Sequence, residues 1–136
     1  MFATSNTSRT LKYLRDIGYT VGVVERFLSF AGKFGQRKDL FGIIDLIAIK
    51  KDRVIGVQSC GQAFSTHHIK IIEEERDSTI EWLQSGGEFL LIGWRKVKKV
   101  RGGKAMIWKP RLRTYFLAYE PEGDPSLSWE DVEEIV

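Results

Sequence analysis

The sequence predicts one α+β domain, a mixed β-sheet flanked by helices. Three observations point there. A helix-period stretch opens the chain, two apolar strand-like runs flank a short charged link, and a second helix-period stretch precedes two more strands. The resulting order is α-β-β-β-α-β-β, and 136 residues suffice for one domain with its own core.

Residues 5–18 read as a helix. Ser5, Asn6, Thr7 and Ser8 offer N-caps, Leu11, Leu14 and Ile17 recur at helical spacing, and Gly18 is a stop. Residues 19–30 are rich in Val and Phe and read as a strand containing Glu25. Residues 31–38 hold two glycines and three bases and read as a mobile basic loop. Two core runs follow, 40–49 and 54–60. The link Lys50-Lys51-Asp52-Arg53 has no room for a crossover helix, so the pair reads as an antiparallel hairpin.

From Ser65 or Thr66 a helix runs to about Gln84. Ile69, Ile72, Arg76, Ile80 and Leu83 trace one face, Lys70, Glu73, Glu74 and Asp77 lie on the other, and Gly86-Gly87 ends it. Residues 88–100 and 104–117 read as strands around Arg101-Gly102-Gly103, and Pro110 assigns the second to an edge or bulge. Ser126 or Ser128 can cap a short final helix with Glu130 and Asp131 in its first turn. The expected organisation is a domain over 1–119 and an acidic tail over 120–136.

No apolar run approaches the ~20 residues of a membrane span, and the N-terminus lacks the apolar core of a signal peptide. A single cysteine permits no internal disulfide, which suits a reducing compartment. These features lead us to expect a cytoplasmic protein with no membrane partner. The overall charge of +3 hides an asymmetry. Residues 120–136 hold seven acids and no base, leaving residues 1–119 with 21 bases against 11 acids, a net +10. A basic body suits a polyanion, most often nucleic acid.

Two residues break the apolar runs, Asp45 in the first and Gln58 in the second. A carboxylate in an apolar strand costs several kcal/mol unless it is paired or loses its charge. Asp45 therefore wants a cation, a lysine or hydrogen-bond donors, and its bland alternative is an aspartate satisfied by backbone amides or an arginine. Gln58 is either a site residue or a glutamine bridging strands. Cys60 reads as a small buried side chain ahead of a reactive thiol. Asp39 reads as a turn residue ahead of a ligand, and Glu25 as a ligand or an ion-pair partner of the basic loop. His67 and His68 are adjacent, so on a helix they diverge by about 100° and disfavour one shared metal. Either contacts phosphate or is simply solvated.

With these residues in view, the chain resembles the PD-(D/E)XK nuclease superfamily. Helix, strand, strand with Asp, strand with an acid-x-Lys signature, helix, strand is the order of its restriction-endonuclease-like αβββαβ core. GIIDLIAI looks like the Asp strand and VIGVQSC like the acid-x-Lys strand. The match is closest to the branch of archaeal-type Holliday-junction resolvases and VRR-NUC domains and covers roughly residues 5–95. The remainder supplies an extra C-terminal strand and the acidic tail.

The resemblance implies a metal-dependent endonuclease acting on DNA, branched or single-stranded. Asp45 takes the place of the metal-binding Asp, and Gln58 that of the acid. Cys60 stands where the family has Lys, and a thiol supplies no positive charge. Lys70 is the first candidate replacement and Lys38 the second. The acid many members carry on the first helix is missing, with only Asp16 near its end, and Glu25 is the stand-in. Magnesium or manganese, weakly bound, would be anchored by Asp45 with Gln58 and Asp39. Resolvases of that branch are dimers, so a homodimer is implied as well. The alternative is a nuclease-fold module that has lost its lysine and binds nucleic acid or a protein partner without cleavage.

Two basic stretches are the expected phosphate contacts. Lys33, Arg37 and Lys38 form the first, and Arg95, Lys98, Lys99, Arg101 and Lys104 the core of the second. The second continues through Lys109, Arg111 and Arg113, interleaved with Trp94, Trp108 and Tyr115. Those aromatics either stack on unpaired bases or form the core face of a strand. The acidic tail either covers this surface as a phosphate mimic or is a solvated end or docking segment.

Overall fold

In the computed structural model, which describes residues 5–28 and 36–135 apart from the side chains of 26–28, 36 and 37, helices pack on both faces of a six-stranded mixed sheet. Helix α1 (Asn6–Asp16) starts where the Ser5 hydroxyl accepts the Ser8 N–H at 3.0 Å. Gly18, at φ +99°, supplies the left-handed residue that turns the chain into β1 (Thr20–Val23).

β1 is shorter than the strand expected over 19–30. The Val24 and Glu25 N–H groups both donate to Asp45 O, at 2.9 and 3.1 Å, and the chain then leaves the sheet. β2 (Arg26–Leu28) pairs with β3 (Gln36–Lys38) as a separate two-stranded sheet. The basic segment expected as a loop thus ends in a strand. Lys33 and the Arg37 side chain lie outside the described residues.

β4 (Leu46–Lys50) and β5 (Arg53–Cys60) form the expected hairpin, with Leu46 opposite Val57 and Lys50 opposite Arg53. Lys51, at φ +57°, and Asp52 make the turn. The strand expected over 40–49 begins only at Leu46. Residues 40–44 form a tight turn instead, with Leu40 N–H to Ile44 O at 2.8 Å and Ile44 N–H to Leu40 O at 3.0 Å. Phe41 (φ +56°) and Gly42 (φ +75°) occupy left-handed positions there. That conformation is strained for Phe41 and natural for glycine.

The long helix expected after β5 is interrupted. α2 (Phe64–Ile69) runs into a π-helical turn (Lys70–Glu74), closed by Glu75 N–H to Lys70 O at 2.8 Å, and then α3 (Arg76–Gln84). The extra residue puts Ile69 out of phase, so it is exposed where burial was expected, while Phe64, His68, Ile71 and Thr79 are buried.

β6 (Glu88–Lys98) lies parallel to β5, with Ile55 opposite Glu88, and a two-pronged Arg53–Glu88 ion pair at 2.8 Å spans the same end. Alternate residues of β6 serve opposite layers. Leu90, Ile92 and Trp94 pack with Leu14 of α1, and Phe89 and Leu91 with Phe64 and Ile71. Burying each such side chain contributes about 1.5–3 kcal/mol. At Gly93 the Phe64 ring lies where a Cβ would sit.

β7 (Met106–Ala118) pairs antiparallel with β6, and β8 (Ser126–Val132) with residues 112–118 of β7. The final helix expected from the Ser126 and Ser128 caps is therefore a strand. Pairing with β7 completes hydrogen bonds that a short helix leaves unmade, and it buries Leu127. Pro110 falls in the half of β7 that β8 does not reach, an edge position as expected.

Candidate active site

Asp45 lies where β1 and β4 part, at the end of the sheet. Its backbone N–H donates to Val57 O at 2.9 Å, which sets it level with Gln58 on β5. Its side chain is buried, and one carboxylate oxygen accepts the Ser59 N–H at 2.9 Å. The tight turn at 40–44 folds Asp39 back over it, and the departing end of β1 brings Glu25. One carboxylate oxygen from each of Glu25, Asp39 and Asp45 lies within 4.8 Å of the others. Burial first, then the hydrogen bond with Asp39 and the charges of Asp39 and Glu25, push the Asp45 carboxyl up to about 8. One amide does not satisfy this group, and no arginine reaches it among the described hydrogen bonds.

Gln58 is wholly buried and fully used. Its amide nitrogen donates to Asp39 at 3.1 Å and to Ile43 O at 3.0 Å, and its amide oxygen faces His67 Nδ1 at 3.0 Å. The reverse amide orientation would set an oxygen against two acceptors, so the network fixes this one. Gln58 therefore holds Asp39 and orients His67, and its oxygen points away from the acids it was expected to join as a ligand. The same contact makes His67 Nδ1 the protonated nitrogen and leaves Nε2 as the acceptor. Burial and the nearby Lys70 lower the His67 pKa, which keeps the ring neutral.

Lys70, first residue of the π turn, lies 3.4 Å from Asp39. With Lys38 it lines an open cleft of about 550 Å³ alongside Asp39, Gly42 and Glu75. Both lysine candidates thus line the cleft with Asp39. Cys60 is buried, and burial together with Asp45 pushes its thiol up to about 11, so it stays protonated and takes no part as base or cation. Asp16 is exposed and pairs with Lys12 at 2.7 Å, away from the site. On α1 it is Thr10 that turns inward. Its hydroxyl lies 2.8 Å from Ser59 Oγ and accepts the Trp94 indole N–H at 2.8 Å, bracing β5 beside Asp45.

The two histidines diverge as their spacing requires. His68 Nδ1 meets the Tyr115 hydroxyl at 2.7 Å, and its ring packs edge-on against Trp129. Of the interleaved aromatics, Trp94 and Tyr115 are core, and Trp108 alone is exposed, with the Arg9 guanidinium 3.6 Å from its ring centre. Arg95, Lys98, Lys99, Arg101 and Lys104 are all solvent-exposed. Asp131 of the acidic segment bonds Arg113 at 2.6 Å and lies 3.5 Å from Arg111. The part Gln58 and His67 play together was not visible in sequence, because nine residues and a strand-to-helix corner separate them.

Comparison with protein-family models, with curated proteins and with solved structures returned no match. No helix among the described residues is long and apolar enough to cross a membrane.

Proposed function

We propose that this chain is a magnesium-dependent endonuclease of the PD-(D/E)XK type that hydrolyses phosphodiester bonds in DNA. The observation that carries the reading is the convergence of Glu25, Asp39 and Asp45 beside Lys70 at the end of the sheet. The element order supports it further. An antiparallel trio β1-β4-β5 is extended by a parallel β6 after the helices, with Asp45 heading the middle strand.

Three hard carboxylate oxygens suit magnesium or manganese, and Asp45, Asp39 and Glu25 would hold the ion. Such an ion would supply an acidified water and a counter-charge for the phosphoryl oxygens. The chain's own groups do the rest. Lys70 and Lys38 offset phosphate charge at the cleft, Lys70 replacing the lysine absent at Cys60. Gln58 keeps Asp39 turned toward Asp45. His67 presents an unprotonated Nε2 able to take a proton.

A second reading, a binding module without cleavage, is favoured by Cys60 itself, a protonated thiol at the lysine position. Labelled single strand, duplex, flap and four-way junction incubated with magnesium or manganese decide between them. Metal-dependent cleavage by wild type that is lost in Asp45→Ala supports the nuclease. Cleavage that survives Asp45→Ala refutes the site, and salt-sensitive binding without any cleavage selects the module.

A further inference from the structure

β6 and β7 outrun their neighbours. β5 pairs with β6 only as far as Gly93, and β8 meets β7 only from Leu112. Between them, five cross-strand pairs from Trp94–Pro110 to Lys98–Met106 stand without a partner on either edge among the described residues, and a turn closes them. The ribbon extends about 17 Å past the sheet, at ~3.4 Å per residue.

Its charge is unusual for a surface hairpin. Residues 94–110 hold seven bases and no acid. Strand alternation puts Arg95 and Lys109 on one face and Lys96 and Lys98 on the other, while Lys99, Arg101 and Lys104 occupy the tip. A ribbon that lies on a flat anionic surface needs bases on one face. Bases on both faces and the tip fit a cleft with phosphates on both walls.

We propose that this ribbon inserts into the major groove of B-form duplex DNA. That groove, about 12 Å wide, admits a two-stranded ribbon. A-form RNA has a deep, narrow major groove that excludes one. Single strands are held on open aromatic platforms. Here Trp94 is buried, and Arg9 covers Trp108 at 3.6 Å with Lys96 5.3 Å from the same ring. The Arg9 stack also braces the root of the ribbon against α1. The inference rests on the proposed nuclease reading for what is done with bound DNA, and not for the binding.

Fluorescence anisotropy in EDTA, which prevents cleavage, tests it with a short labelled duplex DNA, the duplex RNA of the same sequence and the single strand. Wild type should bind duplex DNA at least ~10-fold more tightly than either competitor. Lys98→Glu/Lys99→Glu/Arg101→Glu, checked for an unchanged thermal melt, should lose that preference and flatten the log-affinity against log-salt slope by about 3. No duplex binding, equal affinity for RNA duplex or single strand, or an unaffected triple variant overturns the groove assignment. Duplex binding without cleavage after magnesium is restored leaves the ribbon standing and removes the nuclease. Cleavage by a triple variant that binds and cuts as wild type does the reverse.

Discussion

The acid cluster and the basic ribbon are opposites in construction. Asp45 is buried, and the turn at 40–44, the Ser59 amide and Gln58 hold the group around it in place. The ribbon bases are exposed, and no ion pair ties those from Arg95 to Lys104 to an acid among the described residues. Carboxyls brought together in a buried site couple strongly, and one of them holds its proton. Solvated charges on a ribbon act at longer range and are screened within about 8–10 Å. The first arrangement suits one ion and one bond, and the second suits a long polyanion. Chemistry and binding should therefore come apart under mutation.

The sharpest separation is Asp45→Ala. It should lower cleavage by about 10³-fold or more, the scale of losing a preorganised charge partner. Duplex affinity measured in EDTA should stay within about twofold. A parallel loss of both would erase the distinction between the regions.

Gln58→Leu comes next. It leaves Ile43 O, Asp39 and His67 Nδ1 without their shared partner, and a buried unmade hydrogen bond costs about 1–3 kcal/mol. Cleavage should fall about 10–100-fold, as for groups that orient metal ligands, and the thermal midpoint should drop by about 5 °C. Wild-type cleavage in a folded Gln58→Leu protein would show that the network is packing alone.

The pH dependence separates the regions in another way. Unfolded, Asp45 titrates near its ordinary ~3.9, and folded near 8, so the folded chain holds the extra proton between those values. Stability contributed by this proton is full below about pH 4 and is lost as pH climbs through about 8. Melts of Asp45→Asn should lose that slope and exceed wild type at alkaline pH. A divalent ion held as proposed would displace the same proton, so its affinity should rise across the window, with proton release measurable by calorimetry in two buffers. Duplex binding by the ribbon, which carries no carboxylate, should barely change over it.

The smallest effect belongs to the contact between the acidic segment and the basic strand. Asp131→Asn removes the partner of Arg113 and Arg111, and because Asp131 itself is half-exposed, stability should change by about 0.2–1 kcal/mol. Duplex affinity at low salt should rise slightly, about twofold, as two arginines are released.

Much of the architecture is readable from local pattern because its causes are local. The Ser5 cap and the Leu11, Leu14 spacing specify α1, and a link too short for a crossover specifies the β4–β5 hairpin. Asp45 stands out because an acid in an apolar run is anomalous whatever the fold. Local pattern misleads where a distant partner decides. Ser126, Ser128 and the following acids look like a helix start, yet β7 recruits them as a strand. Residues 40–44 look like the beginning of β4, yet they curl into a turn that brings Asp39 back to Asp45. The helix after β5 reads as continuous, and its π turn, which begins at Lys70 beside Asp39, leaves no periodic mark.

Sequence by itself determined α1, the β4–β5 hairpin, a helical stretch after it and the strands β6 and β7, together with the odd carboxylate at 45 and the separation of bases from acids along the chain. These follow from side-chain periodicity, turn chemistry and composition, which need no partner. Tertiary structure alone decided that Glu25, Asp39 and Asp45 meet, that Gln58 turns its oxygen to His67, and that the β6–β7 pairs from Trp94–Pro110 outward extend beyond both neighbouring strands. Each depends on register and chain reversal between segments far apart in sequence. Those are set by burying both faces of one sheet, and no local stretch encodes that alone.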